Sequence, residues 1–406
     1  MLHLTKFLIC LISFLVFTSP ASAFQTQPVG TEYDRKLAQL DQSAAESRLA
    51  TIVERGVKIF IEPVHEEITQ RIYGCEDNLK DKPDEWEDEP NCAKQNFAPK
   101  AVIGGTRWND NPPFMVKSGF LLPNGEAIGS RCVNETIKLP RKSDCWWDVF
   151  KTSSEMSQRR FFTNRNGVIL NRSHFGDMQF LHSMASRVGD RARETKLSIL
   201  IWAEFAYKVA SESIPANTSL KDVPVAGFKE FFRNHEATVQ NLFLLGDETY
   251  RGSQLRDFAF GTLLHMVQDS FSESHVSRDL STQGALCNCP YTDRSPATIE
   301  KFLVYNSQDA AEHKDEDLYE ALRNDAAKYS PNVIDVGKIL IKFYEELKDK
   351  QKSNREYSNW DMVKKYLDEC VFALNDIDAE ADAGNFEKPN ELFLQQEDRP
   401  RDQINY

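Results

Sequence analysis

Residues 253–271 read Ser-Gln-Leu-Arg-Asp-Phe-Ala-Phe-Gly-Thr-Leu-Leu-His-Met-Val-Gln-Asp-Ser-Phe. Leu255, Phe258, Ala259, Phe260, Leu263, Leu264, Met266 and Val267 surround this stretch with apolar side chains, the pattern of a helix buried on every face. Inside it His265 and Asp269 stand four residues apart on one side, and Gly261 clears the turn before them. An ionised carboxylate in apolar surroundings is costly unless a partner or a cation meets it, and a neutral imidazole beside a carboxylate is what a divalent metal takes. Taken alone, the pair reads equally well as a His–Asp hydrogen bond that only orders the core.

The same reading extends outward along the chain. Thr195 to Ala210 is a second stretch with apolar residues on nearly every face. Ile61, His65, Ile68 and Ile72 fall on one side of a helix and put His65 in an apolar stripe, while Glu62, Glu66 and Glu67 point elsewhere. Further helices are expected over 309–324, 335–350 and 358–374. Loops are expected from Glu76 to Pro90 and from Gly104 to Asp148, where Gly, Pro and Asn punctuate the chain. Strand-like alternation is scarce and no repeat is found. The expectation is an all-α chain: one multi-helix domain over 58–375 with long loop insertions, a polar arm over 24–57, and an acidic tail over 376–406.

Composition sets the outer bounds. The chain has 406 residues, 41% hydrophobic and 27% charged, with 26 Phe, 12 Tyr and 6 Trp, so an ordinary core can be buried and wholesale disorder is excluded. Asp and Glu number 62 against 49 Lys and Arg, a formal charge of −13, which disfavours a protein that neutralises duplex DNA. Lys6, the apolar run Phe7–Phe17 and the small triplet Ala21-Ser22-Ala23 read as a secretory leader over 1–23. That run is too short to span ~30 Å of hydrocarbon, and no later stretch is long enough for a transmembrane segment. Secretion, extracellular or periplasmic, permits disulfides. Cys10 leaves with the leader, and Cys75, Cys92, Cys132, Cys145, Cys287, Cys289 and Cys370 remain. At most three bridges can form; Cys75/Cys92 and Cys132/Cys145 are plausible local staples, and Cys287-Asn288-Cys289 is too close-set for a zinc-thiolate pair.

Other chemistry-bearing residues surround the central pair. His275 follows Asp269 closely, His313 and Asp317 form a second pair four apart, Asp110 lies in Trp-Asn-Asp-Asn-Pro-Pro, and His174 opens His-Phe-Gly-Asp-Met-Gln-Phe-Leu-His, which ends at His182. His182 is more ordinarily a core or supporting histidine than a ligand, and His235 reads as solvated. His65-Glu66-Glu67-Ile68-Thr69 begins like a zinc-protease helix, but Thr69 stands where the second histidine is needed and the motif fails.

In this order, the constellation resembles the zinc-dependent phospholipases C and single-strand-specific nucleases, and within them the secreted bacterial phospholipase branch. The residues that carry it are His65, Asp110 after Trp108, His174-Phe175-Gly176-Asp177, His265 to Asp269 with His275, and His313 to Asp317. The resemblance implies an all-α domain around a multinuclear cluster of two to three Zn²⁺ ions. It implies one ion held by Asp110, His174, His265 and Asp269, a second by His275, His313 and Asp317, and a third by His65 with Asp269 bridging. Family members complete the third site with an N-terminal Trp; here the expected mature chain begins far upstream at Phe24. Zinc ions at such spacing bind phosphate oxygens and lower the pKa of a coordinated water toward ~7. Asp110 is the candidate to orient or deprotonate that water as well as to ligate.

The resulting expectation is a secreted phospholipase C that cleaves phospholipids, phosphatidylcholine among them, to diacylglycerol and a phosphorylated headgroup at a membrane surface. The alternatives are a single-strand-specific nuclease and a non-enzymatic secreted binding protein stabilised by metal. The phosphatidylcholine-specific pattern places an aromatic after the loop Asp, where Asn111 stands here. Trp146, Trp147, Phe161, Phe162 and Tyr291 are candidates to line a pocket, and Arg107, Arg172 and Lys314 are the nearest cations in sequence.

Overall fold

The computed structural model describes residues 64–74, 98–139, 141–232, 237–246, 250, 252–285, 288–309, 312–313, 316 and 318–387. The leader over 1–23, the arm over 24–57, Cys75, Cys92, His235, Cys287, Lys314, Asp317 and the tail beyond 387 lie outside the described residues.

The described chain is helix-dominated. In order it forms α1 (Val64–Ile72), α2 (Lys100–Thr106), β1 (Phe114–Met115), β2 (Thr136–Ile137), α3 (Ser143–Met156), α4 (Ile169–Phe175), α5 (Ala192–Ala210), α6 (Val239–Leu244), α7 (Leu255–Asp269), β3 (Val276–Asp279), β4 (Thr298–Phe302), α8 (Tyr319–Lys328), α9 (Val333–Gln351) and α10 (Trp360–Tyr366). Two small antiparallel ladders, β1–β2 and β3–β4, add to the all-α expectation. They are too short for alternation to show in sequence. The stretch 104–148 is not all loop either: α3 starts inside it, at Ser143.

Helix α7 is buried along nearly its whole length, and its tightest crossing is with α2. Only glycines allow the approach: a Cβ on Gly105 would lie 1.9 Å from the Phe258 carbonyl oxygen, and one on Gly261 would lie 2.1 Å from that of Val102. α5 packs on α7, and Trp108 and Trp202 stack at 5.5 Å between centroids inside the same core. Leu197, expected inside α5, is instead 59% exposed, because the flanking core covers only one side of that helix's first turns. α9 opens on a capping box between Asn332 and Asp335, an arrangement that stabilises a helix by about 1 kcal/mol. It runs against α1, where Gly337 makes room for Ile72.

A second apolar cluster is built from Phe114 to Phe175 and includes β1, β2, α3 and α4. The Cys132–Cys145 disulfide staples it, and Trp146 stacks on Phe150 at 4.8 Å. A second bridge, Cys289–Cys370, ties the segment between β3 and β4 to the turn after α10. The five aromatic candidates do not converge on one pocket among the described residues. Trp146 and Phe162 are buried in the second cluster, Trp147 packs beside it, Phe161 lies under Arg187, and Tyr291 lies beneath Lys342 at the surface. No helix among the described residues is long and apolar enough to cross a membrane.

Candidate metal centre

α7 delivers His265 and Asp269 to the interior, and the chain around it brings five more donors to the same place. α1 supplies His65, which stacks on His265 with centroids 3.8 Å apart. The turn after α2 supplies Asp110, held by Asn109, whose amide donates to the Leu181 carbonyl at 2.7 Å. α4 supplies His174 near its C-terminal end, and a 3₁₀ turn over Gln179–His182 supplies His182. The turn after α7 supplies His275, which stacks on His313 at 5.1 Å. All seven are buried.

His182 is the residue that sequence reasoning put aside. Its Nδ1 lies 3.0 Å from Asp269 Oδ2, 3.3 Å from His265 Nε2 and 3.7 Å from Asp110 Oδ1. His174 stands further out, its ring 4.9 Å from that of His182 and edge-on to Phe150. Three sets of donors each lie within 4.8 Å: His65, Asp110 and His265; Asp110, His174 and His182; His182, His265 and Asp269. His182 belongs to two of the three. Nothing periodic marks it, because a 3₁₀ turn carries no 3.6-residue pattern; the available signal was a second histidine closing the motif that His174 opens.

Hydrogen bonding around the rings fixes which nitrogen faces the centre. His174 donates from Nδ1 to the Leu170 carbonyl at 3.0 Å, His265 to that of Thr106 at 2.6 Å and His275 to that of His182 at 2.7 Å. His65 and His313 donate from Nδ1 to the side-chain oxygens of Gln268, at 2.7 Å, and Gln308, at 2.5 Å. A carbonyl can only accept, so each Nδ1 carries the hydrogen and each Nε2 keeps a lone pair. Such outer hydrogen bonds orient the imidazoles of metal sites and raise their basicity. The close crossing at Gly105 and Gly261 therefore serves the centre directly, since it brings the Thr106 carbonyl to His265.

The result is a buried concentration of lone pairs. Asp269 Oδ2 lies 3.0 Å from His265 Nε2, and Asp269 Oδ1 lies 3.2 Å from His65 Nε2. Neither oxygen of Asp110 and neither Nε2 of His174 and His275 has a hydrogen-bond partner. Acceptor facing acceptor at 3 Å repels unless a proton or a cation lies between. Imidazolium at His265, His275, His174 or His313 does not resolve it, because burial pushes His265 down to about 3 and His275 to about 4, and holds His174 and His313 well below the usual range. Burial, Asp269 and Glu66 hold the Asp110 carboxyl well above its ordinary value. Burial acts the same way on Asp269, but His265, His275 and His65 outweigh it and hold that carboxyl well below the usual range. Buried His/Asp groups of this kind fit a metal cation.

The remaining candidates are engaged elsewhere. Arg107 pairs with Glu66 at 2.6 Å and Arg172 with Asp177 at 2.8 Å. Glu67, on the same helix as His65, is buried with Arg71. Asn111 exchanges two hydrogen bonds of 2.9 Å with the Leu139 backbone, which explains a short amide where a headgroup-facing aromatic was expected. The cavity beside the donors is lined by Ser173, His174, Gln179, His182, Met184, Tyr305 and His313.

No protein-family model, curated protein or solved structure matches the chain. The site is thus read from its own geometry.

Proposed function

We propose that the chain is a secreted zinc phosphodiesterase of the phospholipase C type, its buried imidazoles and the carboxylates of Asp110 and Asp269 holding two or three ions. The observation that carries this reading is Asp269, whose two oxygens face His65 Nε2 and His265 Nε2 while both rings commit their Nδ1 hydrogens to carbonyls elsewhere. The donor set is nitrogen and oxygen without thiolate, and it suits zinc. Bound zinc supplies positive charge to phosphate oxygens and acidifies a water.

The chain's own residues then hold and shape the reacting groups. Asp110, neither of whose oxygens has a hydrogen-bond partner, would ligate a bound ion through one and accept a water's proton with the other. Tyr305 and Met184 line the cavity beside His174, His182 and His313. Arg107 and Arg172 are paired, so a substrate's phosphate charge is met at the cluster, which suits a single phosphodiester. Two disulfides fit an oxidising compartment.

Purified protein given mixed phospholipid vesicles or single-stranded DNA tests the substrate. Diacylglycerol and phosphorylated headgroup are expected to form faster than the DNA is cut. A clear preference for DNA hands the function to a nuclease, and metal without turnover on either hands it to a binding protein.

A further inference from the structure

Away from the buried centre, arginines gather along one edge of the molecule, three of them without an ion-pair partner among the described residues. Arg159, Arg160 and Arg165 lie between α3 and α4, and among the described residues none of them forms an ion pair, whereas Arg107, Arg131, Arg172 and Arg256 each do. The fold brings a fourth to them from a separate loop: the Arg187 guanidinium lies over the Phe161 ring, 4.0 Å from its centroid. Val188, next in the chain and 59% exposed, stands at the tip of a turn whose Gly189 adopts φ +84°. Two more exposed aliphatics lie along the first turns of α5, which follows this turn. Arg193 N donates to the Ile377 carbonyl at 3.0 Å, and Leu197 lies one helical turn beyond Arg193. Acidic groups share this turn: Asp190 accepts from the Arg187 backbone and meets the Arg187 charge, burial and the nearby Glu194 push the Asp190 carboxyl up, and Asp378 pairs with Arg191 and Arg193.

This edge borders the cavity of the candidate centre. Gln158 donates to the Asn306 carbonyl at 3.1 Å, beside Tyr305, and Asp177 N donates to the Phe162 carbonyl at 2.9 Å, just beyond His174. Met184, which lines the cavity, precedes Arg187 by one short turn.

We propose that Arg159, Arg160, Arg165 and Arg187, with Phe161 and Val188, form the surface by which the chain settles on an anionic lipid bilayer. Guanidinium groups take the headgroup phosphates, and Val188 and the rim of Phe161 enter the boundary between headgroups and acyl chains. Charge complementarity selects the occupant: a chain of net charge −13 is repelled from a negative surface except where cations are concentrated, and here Arg159, Arg160 and Arg165 form no ion pair among the described residues. The neighbouring apolar groups favour lipid over a polynucleotide. Single strands are held by stacking aromatics, whereas Val188, Ile377 and Leu197 have no ring to offer, Phe161 is covered by Arg187, and Phe162, under Arg160, is fully buried.

The proposal rests on the phospholipid reading of the centre for its purpose, and its test scores binding apart from turnover. Metal-loaded protein is sedimented with phosphatidylcholine vesicles with and without phosphatidylserine, and turnover is measured separately on bis(p-nitrophenyl) phosphate in solution. Wild type is expected to partition onto the phosphatidylserine vesicles and to be released by salt. Since each basic residue near such a surface contributes about fivefold in partitioning, Arg159→Glu with Arg187→Glu is expected to lower it by at least about 25-fold. Soluble-diester turnover in the double variant is expected to stay unchanged. Lys352→Glu with Arg355→Glu, exposed positions at the turn after α9, matches the change in net charge and should leave partitioning within about twofold. Equal partitioning of wild type onto both vesicles, or of the double variant and wild type onto phosphatidylserine, overturns the proposal. So does a single-stranded oligonucleotide that binds this edge in preference to vesicles. Vesicle binding without diester turnover leaves the surface standing and removes the phosphodiesterase reading.

Discussion

Helix α7 and the segment from Phe114 to Phe175 both deliver donors to the same centre, and different forces hold them. α7 is fixed by the main core on all sides and by a backbone-to-backbone crossing with α2 that tolerates no side chain at Gly105 or Gly261. The Phe114–Phe175 segment has strands of two residues, a smaller apolar cluster and a disulfide. His265 and Asp269 therefore occupy the rigid middle of the centre, and His174 its outer wall. A multinuclear site needs its shared carboxylate where the scaffold is stiffest, and outer donors can come from a patch that is stapled instead of deeply packed.

That contrast breaks first on the donors. Asp269→Ala and His265→Ala are expected to abolish phosphodiester turnover and release metal, and His182→Ala to lower turnover at least about 100-fold. His174→Ala is expected to cost less than His182→Ala. The reverse order, with His182→Ala harmless, would restore the assignment that the sequence motif suggests.

The scaffolds come next. Gly261→Ala forces α2 and α7 apart and is expected to destabilise by about 3 kcal/mol or more, while Gly129→Ala at an exposed position of the Phe114–Phe175 segment, with 3.9 Å to its nearest neighbour, should stay within about 0.5 kcal/mol. Replacing Cys132 and Cys145 by Ser opens a loop of 13 residues and is expected to cost about 3 kcal/mol in denaturant unfolding, with metal content unchanged. Loss of metal in that variant would show that the two regions are not independent.

Stability against pH separates the regions without mutation. Buried neutral His275 and His265, lowered to about 4 and about 3, bind fewer protons than the unfolded chain, whose imidazoles titrate near 6.5. Their contribution to the metal-free protein is therefore whole above about 6.5 and declines as pH falls toward 4 and then 3. Chelated protein titrated from neutral to acid should lose melting temperature through that window, and His275→Gln should flatten the decline. A smaller effect is expected from Gln268→Leu, which removes the acceptor that orients His65: metal affinity should fall about 10–100-fold while turnover at saturating metal survives.

How much of this is legible in the chain differs by region for physical reasons. α7 and α9 announce themselves because helices packed on several sides need apolar residues at 3.6-residue spacing, and His265 and Asp269 stand out against that background. The Cys132–Cys145 bridge is one of the local pairings that proximity in sequence made plausible, although connectivity itself is not readable from the chain. β1 and β2 were invisible because two residues carry no period, and α3 was masked by the turn residues before it. His182 was missed because its position depends on a 3₁₀ turn pinned by Asn109 and by Ser183, which donates to the Met266 carbonyl at 2.6 Å. Glu66 and Glu67 were read as facing away from the apolar stripe, yet both are buried, because Arg107 and Arg71 come in with them. The cationic edge could not be foreseen either, since Arg187 reaches Phe161 only through the fold.

Elemental analysis of freshly purified protein, alongside Asp269→Ala, tests the central claim most directly. Two to three zinc ions per wild-type chain, with most or all of them lost in folded Asp269→Ala protein, is the predicted result. Folded wild-type protein that carries no zinc, or phosphodiester turnover that survives exhaustive chelation, contradicts it.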